Sequence, residues 1–151
     1  MDAIDRRILG VLQADGRLPV AELAKRVGLS VSPCWRRLRQ LEEAGVVRGY
    51  TALVAPEAVG VGLNVFVYVA LKLHSADAFE AEMARREQVL ECYAMSGDED
   101  YLLHVMVADV EALERFVRTD LIHMPGVERV RTSLALKTVK HTTALPLGAI
   151  G

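Results

Sequence analysis

Gly28–Gly49 reads GLSVSPCWRRLRQLEEAGVVRG. Val27-Gly28-Leu29 makes a tight turn, and Ser30 or Ser32 can cap the helix that follows. That helix carries Cys34, Leu38 and Leu41 at i, i+4 and i+7, a single apolar stripe. Its other faces carry Arg36, Arg37, Arg39 and Gln40. A buried stripe backed by arginines is what a helix needs to dock on a protein body and enter a DNA groove. Gly45 closes the helix. Val46-Val47-Arg48-Gly49-Tyr50 then reads as a short strand, the wing of a winged helix-turn-helix.

The residues before it fit. Ile4, Ile8, Leu9, Val11 and Leu12 recur with helical spacing, and Asp15-Gly16-Arg17 is a stop. Pro19 opens a second helix whose Leu23, Ala24 and Val27 face inward. Three helices with a short turn between the second and third make a helix-turn-helix.

These segments resemble the N-terminal half of a bacterial or archaeal Lrp/AsnC-family regulator. The resemblance rests on Asp2-x-x-Asp5-x-x-Ile8-Leu9, the Asp15-Gly16-Arg17 stop, and Leu23-Ala24-x-x-Val27-Gly28-Leu29-Ser30. It continues through Ser32-Pro33-Cys34-x-x-Arg37 and Gly49-Tyr50-Thr51-Ala52-Leu53, and it covers nearly the whole chain. Ser32, Arg36, Arg37 and Gln40 are the expected base-edge and phosphate contacts. Arg48 on the wing and Lys25 or Arg26 on the preceding helix are expected to hold the DNA backbone. Ser30, Pro33 and Arg39 complete the candidate DNA-binding set. Arginine suits this work because its planar fork reads guanine or grips phosphate with two bonds. Trp35 neighbours the Cys34/Leu38 stripe and is expected to pack at the edge of the core rather than to stack on a base.

The chain has 151 residues, 52% hydrophobic and 25% charged, which is a globular composition. No apolar run approaches a membrane span, and the acidic start Met1-Asp2-Ala3-Ile4-Asp5 is no signal peptide. Cys34 and Cys92 read as separate buried thiols in a reducing cytoplasm. The histidines His74, His104, His123 and His141 lack metal-ligand spacing, so neither metal nor cofactor is expected. The net charge of -2 divides unevenly. Residues 1–50 hold nine Arg/Lys against six Asp/Glu, and residues 51–151 hold nine against fourteen. The positive excess lies with the helix-turn-helix, and its small size argues for several copies acting together on a polyanion.

Residues 51–62 contain Pro56, Gly60 and Gly62 and read as a linker between a first domain, 1–50, and a second, 63–151. Strands are expected at Leu63–Leu73, Val89–Met95, Tyr101–Val107 and Val127–Val139. Helices are expected from Ser75 to about Gln88 and from Asp109 to the Pro125-Gly126 stop. This order, βαββαβ, gives a ferredoxin-like antiparallel sheet with helices on one face, and an α+β chain overall. Leu63–Leu71 is apolar or aromatic on both faces, as is much of 102–107. The helices cover one face only. A second copy of the sheet is the economical cover for the other, giving a homodimer. The resemblance implies the same pairing, with further assembly to a tetramer or octamer.

On spacing alone the turn Gly97-Asp98-Glu99-Asp100 reads either as a hairpin tip with solvated acids or as three close acids that a cationic α-ammonium group would relieve. Ser96–Leu103, SGDEDYLL, resembles the family's effector loop, where a small amino acid binds between subunits. By that resemblance the effector-response positions are Ala94, Gly97, Asp100, Val110, Ser133, Leu134 and Ala135, with Asp98 included as part of the loop motif. Trp35 and the ending Val139–Pro146 are similar to a branch that includes cysteine-responsive members. The expected function is a cytoplasmic, sequence-specific transcriptional regulator of amino-acid metabolism, not an enzyme, with double-stranded DNA, a small amino acid and its own copies as partners. Two alternatives are a tetrapyrrole (sirohaem-type) decarboxylase related to the same family and an effector-independent architectural DNA-binding protein.

Overall fold

The computed structural model describes residues 1–72 and 75–148. Leu73, the last residue of the first expected strand, and His74 lie outside that range, as do residues 149–151 of the expected second domain. The chain divides into two compact units, one of residues 1–53 with the described residues from Lys140 onward, the other of Val54–Val139.

The first unit is built on α1 (Ala3–Ala14), α2 (Val20–Val27) and α3 (Val31–Glu43). Asp2 starts α1 with a reciprocal cap. Its Oδ1 accepts from the Ile4 and Asp5 amides at 2.8 and 2.9 Å, and Asp5 Oδ2 accepts from the Asp2 amide at 2.8 Å. Gly28 ends α2 in the left-handed region, φ 75°, and the Leu29 amide reaches back to the Ala24 carbonyl at 2.9 Å. This geometry requires a residue without a side-chain penalty, and it turns the chain directly into α3. Ser30 occupies the cap position of α3, but its hydroxyl makes no capping bond. Ile8, Leu9, Leu23, Ala24, Val27, Cys34, Leu38 and Leu41 form the core.

Two expectations change here. Residues 46–50 carry no strand, so the segment expected as a wing runs without ladder bonds. Its start is tied to α3 by the Val46 and Val47 amides, which both donate to the Leu41 carbonyl, and its end by Tyr50, whose hydroxyl donates to Glu42 Oε1 at 2.9 Å and whose ring lies against Gly16. The segment 140–148, expected in the second domain, packs with the first. Leu145 and Gln13 exchange two hydrogen bonds of 2.6 and 3.1 Å, and Leu147 joins the helix-turn-helix core.

In the second unit, a single 3₁₀ turn (Pro56–Val59) precedes β1 (Leu63–Leu71), α4 (Ala76–Met83), β2 (Val89–Ala94) and β3 (Tyr101–Val107). α5 (Val110–Arg115) then runs on into a π-helical turn (Phe116–Leu121), and β4 (Val127–Leu134) ends the unit. The sheet is antiparallel in the order β2-β3-β1-β4. Val65, Val67, Val69, Tyr101, Leu103, Val105 and Val107 point to the helix side and bury Phe79, Met83, Leu113, Phe116 and Leu121. Asp109 caps α5 through Oδ1, 2.8 Å from the Ala112 amide. Helix α4 stops near Met83 rather than Gln88, and β4 stops at Leu134 rather than Val139.

The opposite face is less apolar than the run in β1 suggests. By register it holds Phe66, Tyr68, Leu102 and Met106 with Asn64, His104, Glu91, Arg129, Arg131 and Ser133. His104 Nε2 lies 2.9 Å from Asn64 Oδ1 and Nδ1 3.4 Å from Glu91 Oε2, and its ring stacks on Phe66. Polar residues on neighbouring strands thus interrupt the apolar strip. Cys34 is buried, but Cys92 is exposed, because β2 is an edge strand that the helices leave partly uncovered.

Candidate DNA-reading face and effector site

Helix α3 divides into faces as its spacing dictates. Cys34, Leu38 and Leu41 lock one face to the core. Ser32, Arg36, Arg39 and Gln40 are exposed on the rest of the helix, with Pro33 half-buried near its start. Ser30, Lys25, Arg26 and Arg48 are also exposed, and Lys25 pairs with Glu22 at 2.6 Å. Arg39 is drawn towards Glu42 at 3.4 Å.

Arg37, another of the expected DNA-binding residues, is engaged within the protein. Its Nη1 donates to Asp2 Oδ2 at 2.7 Å and to Asp5 Oδ1 at 2.8 Å, so it ties α3 to the cap of α1. The amide of Asp5 and the Arg37 guanidinium hold the Asp2 carboxyl below its usual value, and the two carboxylates raise Arg37. One nitrogen committed to two carboxylates is not free to read a base. The i, i+35 distance between Asp2 and Arg37 hid this pairing from a local reading of the helix. Trp35 departs from expectation: it is 52% exposed and stands outside the core.

The effector positions fall into two groups. The turn holding Gly97, Asp98 and Asp100, with Ala94 before it, lies at the end of the sheet beside Val69–Leu71. Ser133 pairs with Phe66 and the Ala135 amide bonds the Asn64 carbonyl, at the other end; Val110 follows β3 at that same end. The two groups are separated by roughly 15 Å of strand at ~3.3 Å per residue.

Two of the three acids of the turn, Glu99 and Asp100, have partners elsewhere in the sheet. Glu99 Oε2 accepts from Arg129 Nη2 at 3.1 Å, and Arg131 Nε lies 3.9 Å from Oε1. Arg131 also sits over the Tyr68 ring, 4.0 Å from its centroid. Asp100 Oδ2 accepts from the Leu71 amide at 2.6 Å, stitching the turn to the end of β1. The charge is answered by strands distant in sequence, which the local triplet could not reveal. Gly97 holds φ 151°, a conformation that side chains rarely adopt. Among the described residues no cluster of His, Cys, Asp or Glu could hold a metal ion, and no helix is long and apolar enough to cross a membrane.

A helix-turn-helix with an exposed cationic helix, followed by a separate βαββαβ domain, defines a two-domain DNA-binding transcriptional regulator. Residues 1–48 match the winged helix-turn-helix DNA-binding family and residues 64–145 the Lrp/AsnC ligand-binding domain. The chain is 43% identical over 148 residues to the leucine-responsive regulatory protein of Salmonella typhimurium, covering 96% of this chain and 90% of the relative. It is 42% identical over the same span and coverage to the Escherichia coli K12 protein of that name. A transcriptional regulator of Neisseria meningitidis, crystallised with L-methionine, superposes with a TM-score of 0.96 at 45% identity, over 98% of this chain and 97% of that one. Escherichia coli AsnC superposes with a TM-score of 0.90 at 25% identity, over 97% and 99%. The chain belongs to the Lrp/AsnC family of transcriptional regulators. Its relatives are regulators and not enzymes, which removes the decarboxylase alternative.

Proposed function

We propose that this regulator controls genes of amino-acid metabolism, reads its operator through α3, and responds to a small amino acid bound between two copies of the chain. The observation that carries the effector reading is the division of its candidate residues. Ala94, Gly97, Asp98 and Asp100 stand at one end of the sheet, and Val110, Ser133, Leu134 and Ala135 at the other. No single ligand of amino-acid size bridges both ends of one chain. Two copies in antiparallel apposition bring one end of each into reach of the other end of its partner, and two-fold symmetry then makes two equivalent sites. The open sheet face, with Phe66, Tyr68, Leu102 and Met106 at its centre, supplies the contact for that pairing.

DNA recognition falls to Ser32, Arg36 and Gln40, with Lys25, Arg26, Arg39 and Arg48 as phosphate contacts, and Ser30 and Pro33 positioning the start of the helix. A ligand acts by altering how paired reading heads are spaced, which needs a coupling of only roughly 1–3 kcal/mol. L-Methionine is the first effector to try, because it accompanies the 45% identical Neisseria regulator; cysteine and the branched-chain amino acids follow. Calorimetric titration of these amino acids, with operator affinity measured with and without each one, tests the proposal. Genome-wide mapping of bound sites identifies the operator. Operator binding that no amino acid alters would leave an architectural DNA-binding protein.

A further inference from the structure

Trp35 is the chain's only tryptophan. It stands on α3 one turn after Val31 and one turn before Arg39. Trp35 is 52% exposed and Val31 51%, so the two form an apolar strip on the outside of the helix. The buried stripe Cys34, Leu38 and Leu41 closes the core without it. Arg39 places its guanidinium carbon 5.6 Å from the Trp35 ring centroid, an attraction between cation and ring face that limits the rotamers open to both. Arg36 follows in sequence, and both arginines are exposed.

A scattered exposed apolar residue needs no explanation. A bulky aromatic set among arginines on a reading helix is a narrower case. Whatever covers Trp35 must also accept Arg36 and Arg39. Arg39 has Glu42 beside it, but an apolar protein patch would bury Arg36 without a partner, at a cost that outweighs the ring's burial. Duplex DNA meets both needs. Its phosphates accept the arginines, and the major groove presents the C5-methyl group of thymine as an apolar contact. Trp35 is the fifth residue of α3, in the N-terminal part that touches base edges when such a helix lies in the groove.

We infer that Trp35, with Val31 beside it, is a specificity-determining residue that packs against thymine methyl groups in the operator. The inference rests on the reading that α3 enters the major groove.

The test uses the full-length protein. As the sole tryptophan, Trp35 reports its own environment. Saturating operator duplex, with binding followed separately by anisotropy of labelled DNA, is expected to shift Trp35 emission and shield it from acrylamide. Selection from random duplexes is then run with wild type and Trp35→Ala, with Trp35→Phe as the variant that keeps an aromatic ring. Wild type is expected to select thymine at one position of each half-site, a preference that Trp35→Ala loses and Trp35→Phe partly keeps. Replacing that thymine by uracil deletes only the methyl group. It is expected to weaken wild type about fourfold, as for one buried methyl, and to leave Trp35→Ala unchanged. Anisotropy that reports binding while Trp35 stays open to acrylamide overturns the inference and leaves the α3 reading standing. Unchanged sequence preference in Trp35→Ala does the same. Trp35 already shielded in the free protein, or shielded by phosphatidylglycerol vesicles and not by duplex, overturns it in favour of a protein or lipid contact. Failure of wild type to bind any duplex removes the reading of α3 and this inference with it. If Trp35→Ala does not fold, the quenching and uracil measurements on wild type still decide the matter.

Discussion

Arg37 Nη1 lies 2.8 Å from Asp5 Oδ1, and the same nitrogen lies 2.7 Å from Asp2 Oδ2. A residue of α3 is thereby fastened to the reciprocal cap that starts α1. The cap neutralises free amides at the start of α1, and the arginine adds charge to bonds that already exist.

The pH dependence follows from this clamp. The Asp5 amide and Arg37 depress the Asp2 carboxyl below its ordinary 3.8. A carboxyl depressed in the folded state stabilises it fully above the ordinary value, and that contribution is lost as pH falls below 3.8 through the folded value. Asp2→Asn is therefore expected to melt below wild type at pH 7, with the gap narrowing as the pH drops under 4. Calorimetric scans of both proteins from pH 3 to pH 7 measure it; a gap that widens in acid would contradict the clamp.

Arg36 and Arg37 are neighbours in different surroundings, the first exposed and the second paired with Asp2 and Asp5. Arg36→Ala is expected to leave the melting temperature near wild type and to cost about 1–3 kcal/mol of operator affinity if it removes a bidentate base contact. A phosphate contact would instead lower affinity evenly over sequences and flatten the salt dependence. Arg37→Ala is expected to lower the melting temperature first, and affinity only through it. Melting curves set beside salt titrations of binding separate the two; equal effects from both variants would contradict the assignment.

On β3, Leu102 and Val105 point to opposite sides of the sheet. Val105 is fully buried beneath the helices, so Val105→Asp should unfold the domain, because an unpaired carboxylate there is not solvated. Leu102→Asp should keep the circular-dichroism spectrum and reduce the assembly to monomer in light scattering at micromolar concentration. A Leu102→Asp protein that still pairs would place the interface elsewhere.

In the Gly97–Asp100 turn, Asp100 has structural work. Its Oδ2 holds the Leu71 amide, so Asp100→Ala should cost about 1 kcal/mol of stability. Ser133 has no such bond among those described for the sheet. Ser133→Leu should leave stability nearly unchanged and alter amino-acid binding by crowding the proposed site. Titration of L-methionine into both variants, beside thermal melts, is the measurement. Wild-type binding by Ser133→Leu would remove β4 from the site.

Much of this could be read in the sequence, because most of the signals are local. The stripe Cys34, Leu38 and Leu41 lies within two helical turns, Gly28 needs its left-handed geometry where it stands, and Asp109 caps its own helix. Pairings between distant residues are not legible in this way. Arg37 meets Asp2 and Asp5, Glu99 meets Arg129 and Arg131, and Asn64 meets His104 and through it Glu91. Each joins residues 30 or more apart, except the last step from His104 to Glu91. A residue type and its spacing say which partners suit it, and only the fold says which partner is present. Trp35 was misplaced for a related reason: its neighbours in sequence are core residues, but a helix turns by about 100° per residue and carries it out of their face.

The return of the chain's end to the helix-turn-helix makes the DNA-binding unit discontinuous in sequence. In chain topology the ligand-binding domain is an insertion between two pieces of the DNA-binding one. A single cut after Leu53 would release a head missing Leu147 and the Leu145–Gln13 bonds. Grafting this head onto another sensor therefore takes two splice points, and a chimera joined at one would begin with an incomplete core.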